Sequence, residues 1–159
     1  MAVTIRGSGQ VPVQIAQGTL TTPYAVTVTF GTYYDAGISA TITPTSASNK
    51  ILIMAFIGDY SSSSATDFLT QIQRNGTAII NGTGGTANST TANATNGTNN
   101  GGGSVCAYYL DSPASTSALT YKFMVSGSET GKGIYVNRRA ADTYFSTAST
   151  IILMELAYS

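Results

Sequence analysis

The sequence predicts an all-β fold, an antiparallel sandwich or barrel of about eight or nine strands. Three observations lead there. Runs of β-branched and aromatic residues recur at strand length between Gly, Pro, Asn and Ser clusters, and no stretch carries a helical period. Two runs, residues 50–60 (KILIMAFIGDY) and 150–157 (TIILMELA), are apolar on nearly both faces. A strand of that kind needs cover on both sides. Finally, only 9% of the 159 residues are charged and the net charge is zero, a composition that favours association over life as a free monomer.

Residues 1–23 alternate weakly at period two, and Pro12 and Pro23 exclude a helix. They read either as an attachment arm carried by Val3, Ile5, Arg6, Val11, Val13 and Ile15, or as an edge strand on the domain's own sheet. Residues 24–159 form the domain. Tyr24, Val26, Val28 and Phe30 alternate with Ala25, Thr27 and Thr29, which marks a half-buried strand, and residues 38–42 repeat the pattern. The turn 43–49 leads into the 50–60 strand, and residues 61–64 (SSSS) break it. Residues 68–74 and 77–80 flank Asn75-Gly76, a dipeptide that supplies the two positive φ angles of a tight hairpin.

Residues 82–104 are low in complexity and hold no apolar side chain larger than Ala, so they cannot contribute to a core. They read as a long loop, either solvated or used for recognition. Strands follow at 105–110, 119–125 and 134–137, and residues 150–157 close the pattern. Glu155 is the one charge in that last strand and needs a partner or a place at the mouth of the sandwich.

The composition also excludes functions. With no histidine, Ser-His-Asp and Cys-His catalysis and the usual zinc site are impossible, and no phosphate-binding loop is present. The single Cys106 lies in an apolar run and reads as a small hydrophobe. The expectation is no enzyme, no catalytic or metal site and no cofactor. Neutrality argues against nucleic acid, and the longest apolar run is far too short for membrane insertion. No signal peptide is read at the first residues.

The unfilled faces of the two apolar strands predict a subunit interface. The residues predicted for it are Ile51, Ile53, Tyr60, Ile152, Met154 and Leu156. Tyrosines beside Ser, Gly and Asn resemble the composition of adaptable recognition surfaces. They place possible receptor contacts at Tyr33, Tyr34, Asn96, Asn99 and Asn100.

Residues 39–54 (SATITPTSASNKILIM), 74–79 (RNGTAI), 109–125 (YLDSPASTSALTYKFMV) and 149–157 (STIILMELA) together resemble small virion structural proteins of tailed bacteriophages, cyanophages among them. The order of elements is similar to the trimeric jelly-roll heads of the tumour-necrosis-factor-like and complement-like kind. The resemblance covers roughly residues 39–157. It implies a jelly-roll sandwich, a homotrimer with the C-terminal apolar strand near its three-fold axis, and a virion location after synthesis in the bacterial host cytoplasm. Two roles follow as expectations. One is a capsid decoration or cement protein clamping the major capsid protein or other virion proteins. The other is the receptor-binding head of a short tail fibre, touching a host surface glycan.

Overall fold

The structure, a computed structural model, describes residues 12–83, 88–94 and 102–157. Its spine is β4, Lys50–Ser62. Ile51, Ile53, Ala55 and Ile57 of this strand point inward and are almost completely buried. Along one flank, residues 50–56 pair antiparallel with β11, Ser149–Leu156, whose far edge carries β1, Gln14–Leu20. Along the other flank, residues 51–57 pair with β8, Gly102–Asp111. The register with β8 shifts between Ile57 and Tyr60, and beyond it Tyr60–Ser62 pairs with β10, Gly133–Val136, which carries β2, Tyr24–Thr27.

The second sheet runs β3 (Ser39–Ile42), β9 (Leu119–Gly127), β5 (Asp67–Arg74), with β6 (Thr77–Ile80) and β7 (Thr91–Ala94) sharing the far edge of β5. All pairings are antiparallel. The orders β1-β11-β4-β8 and β3-β9-β5-β6/β7 make an antiparallel jelly-roll sandwich. The core fills from both sheets: Phe68 and Ile72, then Tyr121, Phe123 and Val125, face Ile51, Ile53, Ile151 and Leu153. Tyr60 and Phe68 stack with ring centroids 4.3 Å apart.

The two strands that are apolar on both faces are neighbours, β4 beside β11. Asn75 and Gly76 take φ values of 49° and 83°, as the hairpin between β5 and β6 requires. Three boundaries differ from the sequence reading. Gln14–Leu20, within the segment read as arm or edge strand, forms the edge strand, so Val13 and Ile15 lie against the domain's own sheet. Val3, Ile5, Arg6 and Val11 lie outside the described residues. The 82–104 loop is interrupted by β7, whose Thr91 hydroxyl shares a 2.6 Å hydrogen bond with Thr70, and β8 already begins at Gly102. Backbone pairing and this hydroxyl contact hold β7, so hydrophobic patterning could not reveal it. The third boundary is the serine run, where β4 continues through Ser62. There Ser61 is buried with its hydroxyl donating to the Arg138 carbonyl at 3.0 Å.

One end of the sandwich is closed by two buried carboxylates on either side of Ile51, which pairs with both Glu155 and Asp111. Asp111 Oδ2 accepts from Arg74 Nη1 at 2.6 Å and from the Tyr121 hydroxyl at 2.7 Å, joining β8 to β5 and β9. Burial first, and then the bond to Asp111, push the Tyr121 phenol up from its ordinary value.

At the opposite edge of the sheet, β1 passes so close to β3 that a Cβ on Gly18 would sit 1.7 Å from the Ser39 carbonyl oxygen. Gly18→Ala is therefore expected to push β1 away from β3, at a cost of about 1–3 kcal/mol. Hydrogen exchange should report it as lost protection confined to residues 14–20. Unchanged protection there would show that β1 does not pack as described.

Candidate functional site

Among the described residues, the outer face of the β8-β4-β11-β1 sheet is an uncovered apolar surface. Register places its side chains in rows across the strands. Leu110, Leu52, Met154 and Ile15 form one row, and Tyr108, Met54, Ile152 and Gln17 the next. Cys106, Phe56, Thr150 and Thr19 form a third, which becomes polar toward β1. Tyr108 is 78% exposed, and Ile15, Leu110 and Phe56 are exposed as well. Leu52, Met54, Phe56, Cys106, Tyr108, Thr150 and Ile152 line a shallow depression whose accessible wall is apolar throughout. A face of this kind marks an interaction surface, because isolated chains seldom leave contiguous apolar rows in water.

The opposite sheet differs. Its outward Leu69, Gln71, Met124 and Ser126 are all buried within the chain. Segment 29–36 lies against this sheet: Tyr34 exchanges backbone hydrogen bonds with Val125, and the Ser126 hydroxyl donates to the Thr32 carbonyl at 2.6 Å. Among the described residues, one outer face has cover from the chain and the other has none.

Parity corrects part of the predicted interface. Ile51, Ile53 and Tyr60 point into the core and are buried within the chain. Successive side chains of a strand point to opposite faces, so the outward residues of β4 are Leu52, Met54 and Phe56. Ile152, Met154 and Leu156 do lie on the outer face, half-buried by their neighbours. Tyr108 and Leu110 belong to it too; residues 106–110 (CAYYL) are apolar at every position, so no alternation marks which of them face outward.

The predicted receptor contacts are not brought together. Tyr33 is half-buried and donates its hydroxyl to the Asn88 carbonyl at 2.9 Å, with burial raising its pKa. The Tyr34 ring packs against the core, and its hydroxyl accepts from Thr29 N–H at 3.0 Å. Both are committed to holding segment 29–36. Asn96, Asn99 and Asn100 lie outside the described residues.

A comparison with models of protein families finds no match, and a comparison with curated proteins finds none either.

Most ionised groups are engaged in structure. Asp35 binds Lys122, Asp142 binds Arg139, and Glu129 lies 3.6 Å from Lys132. Glu155, fully buried, accepts four bonds. Oε1 takes Asn49 Nδ2 at 2.6 Å, Thr45 N–H at 2.7 Å and the Thr45 hydroxyl at 2.8 Å, while Oε2 takes Gln14 Nε2 at 2.6 Å. Burial alone would raise its pKa, but these donors outweigh it and hold the carboxyl down at about 2.

Asp59 is the contrast. It lies in the register shift between β4 and β8, its Oδ2 is buried without a hydrogen-bond partner, and burial pushes its pKa up to about 6. Among the described residues, no three His, Cys, Asp or Glu side chains are grouped to hold a metal ion.

Proposed function

We propose that this chain is a structural subunit of a tailed-phage virion, a homotrimeric capsid decoration or cement protein that stabilises the head. The observation that carries the assembly part is the outer face of the β8-β4-β11-β1 sheet, largely apolar over β8, β4 and β11 and left open by the described residues while the opposite sheet is covered. The occupant that fits it is further copies of the same chain. The protein has no net charge to repel its own copies. The outward side chains of β8, β4 and β11 in the three rows are uncharged, so contacts at this face are led by apolar burial. Standard protein–protein interfaces bury about 800 Å² per partner. Three-fold closure and the virion setting are supported by the resemblance of residues 39–157 to phage structural proteins.

Two measurements test this reading. Sedimentation equilibrium of the full chain is expected to return three times the chain mass, and a monomer at micromolar concentration overturns the assembly reading. Immunogold labelling of intact virions is expected to spread over the head. Label confined to the tail tip would replace the cement role with the receptor-binding one.

A further inference from the structure

The geometry points to a binding platform for a neutral glycan on the loop joining β10 to β11, residues 137–148, with Tyr144 as its stacking surface and the Arg139–Asp142 pair as its polar contact. This inference is independent of the assembly reading, because the platform lies on a connection rather than on the open sheet face.

Tyr144 is 85% exposed and Phe145 is 41% exposed, yet the backbone that presents them is tightly held. Arg139 donates Nε and Nη2 to Asp142 Oδ1 and Oδ2 at 2.6 and 2.8 Å, a bidentate fork. The same Oδ1 accepts the Tyr144 backbone N–H at 2.9 Å, which fixes the ring's point of attachment. The Arg139 guanidinium then lies 5.1 Å from the Tyr144 ring centroid and 5.8 Å from that of Phe145.

The root of the loop is equally fixed. Asn137 is fully buried at φ 60°; its Nδ2 donates to the Leu20 carbonyl at 2.9 Å, and its Oδ1 accepts the Ser149 hydroxyl at 2.6 Å. Arg138 spans the next turn, with Nε to the Arg139 carbonyl and Nη2 to the Ala140 carbonyl, and its guanidinium lies 4.9 Å from the Tyr135 ring. A ring held this way loses little freedom on binding, and preorganisation of that kind converts contact into affinity.

The chemistry of the platform selects the ligand class. An exposed aromatic face matches the C–H face of a sugar ring, as a Tyr presents a large, rigid, amphipathic surface. Beside it, Arg139 Nη1 and the remaining lone pairs of Asp142 offer a donor and acceptors together, the complement of a pair of hydroxyls. Asp142 neutralises Arg139 within the fork itself, while Arg138, held by the Arg139 and Ala140 carbonyls against the Tyr135 ring, keeps one positive charge at the root of the loop, and heparin is the probe that reads its effect. The large side chains of the stretch 140–146 are only Tyr144 and Phe145, among Ala140, Ala141, Asp142, Thr143 and Ser146. That is too little for a protein partner, which needs about 800 Å² per side.

The test is an NMR titration of the full chain with maltohexaose, cellohexaose, a mannan oligosaccharide and a chitin oligosaccharide, with heparin as the anionic probe. Tyr144 ring and Arg139 Nε–H signals are expected to shift with at least one neutral probe at millimolar concentration. Tyr144→Ala should weaken that binding about tenfold, the scale of one lost stacking contact, while Tyr144→Phe retains most of it. Asp142→Asn should weaken it as well. The inference is overturned if no neutral probe shifts these signals, if only heparin does, or if Tyr144→Ala leaves the affinity unchanged. It is also overturned if the loop signals move with protein concentration alone, which would assign the loop to contacts between copies.

Discussion

Leu153→Asp is expected to leave no folded protein, while Ile152→Asp, one residue earlier in the same strand, is expected to leave a folded monomer. Leu153 is 0% exposed and pairs with Ile53 and Ala16 on the core side of its sheet. A carboxylate there has no cation beside it, and an unpaired buried charge costs about 3–5 kcal/mol or more, against a total stability of roughly 5–15 kcal/mol. Ile152 lies on the other face, next to Met54 and Gln17, where a charge on the isolated chain stays in water. In an assembly closed over that face the same charge would be buried, so the trimer should dissociate. Circular dichroism melting and sedimentation equilibrium on both variants read the two effects separately. An Ile152→Asp protein of trimer mass would remove the open sheet face as the interface, whatever Leu153→Asp does.

Glu155→Ala is the second large effect, expected to cost about 3 kcal/mol or more. It removes the common acceptor of the Thr45 N–H, the Thr45 hydroxyl and the Asn49 and Gln14 amides. The loss should appear in urea denaturation at neutral pH and should loosen β1, whose first residue is Gln14. The same group predicts a pH dependence. Its folded pKa of about 2 lies below the ordinary 4.5, so the stability it contributes is fully present above 4.5 and is lost as pH falls toward 2. Asp35 and Asp142 are also held below their ordinary value, the first against the effect of burial by Lys122 and the Gly37 N–H, the second mainly by Arg139. The slope therefore belongs to Glu155 only as the difference between wild type and Glu155→Gln. Parallel pH profiles for these two proteins would show that the four bonds do not hold the carboxylate ionised.

Much of the fold was legible in the chain itself. Alternation at period two marked the β2, β3, β5 and β9 regions, Asn75-Gly76 marked the hairpin, and the two fully apolar runs became adjacent strands at the centre of one sheet. What escaped were elements without hydrophobic contrast. The stretch forming β7, TANA, carries no side chain larger than Asn, and it is a strand because Thr70 and its neighbours present an open edge. Arg139, Asp142, Tyr144 and Phe145 lie in a connection without strand patterning, and neither the fork nor the ring contacts follow from composition.

The sequence by itself determined that this protein is all-β, that it carries two strands needing cover on both faces, and that its surface depends on hydroxyls and amides rather than charge. Those properties reside in single side chains and neighbours a few positions apart. Only the tertiary structure decided which face of β4 and β11 is the core and which is open, because a strand apolar on both sides has no local signal for inward. The choice is made by register, Ile53 opposite Leu153 and Met54 opposite Ile152. It likewise decided that Glu155 is caged, since its donors Asn49 and Gln14 stand 106 and 141 residues away along the chain. A hydrogen bond depends on distance and angle in space, and folding alone brings such residues within reach.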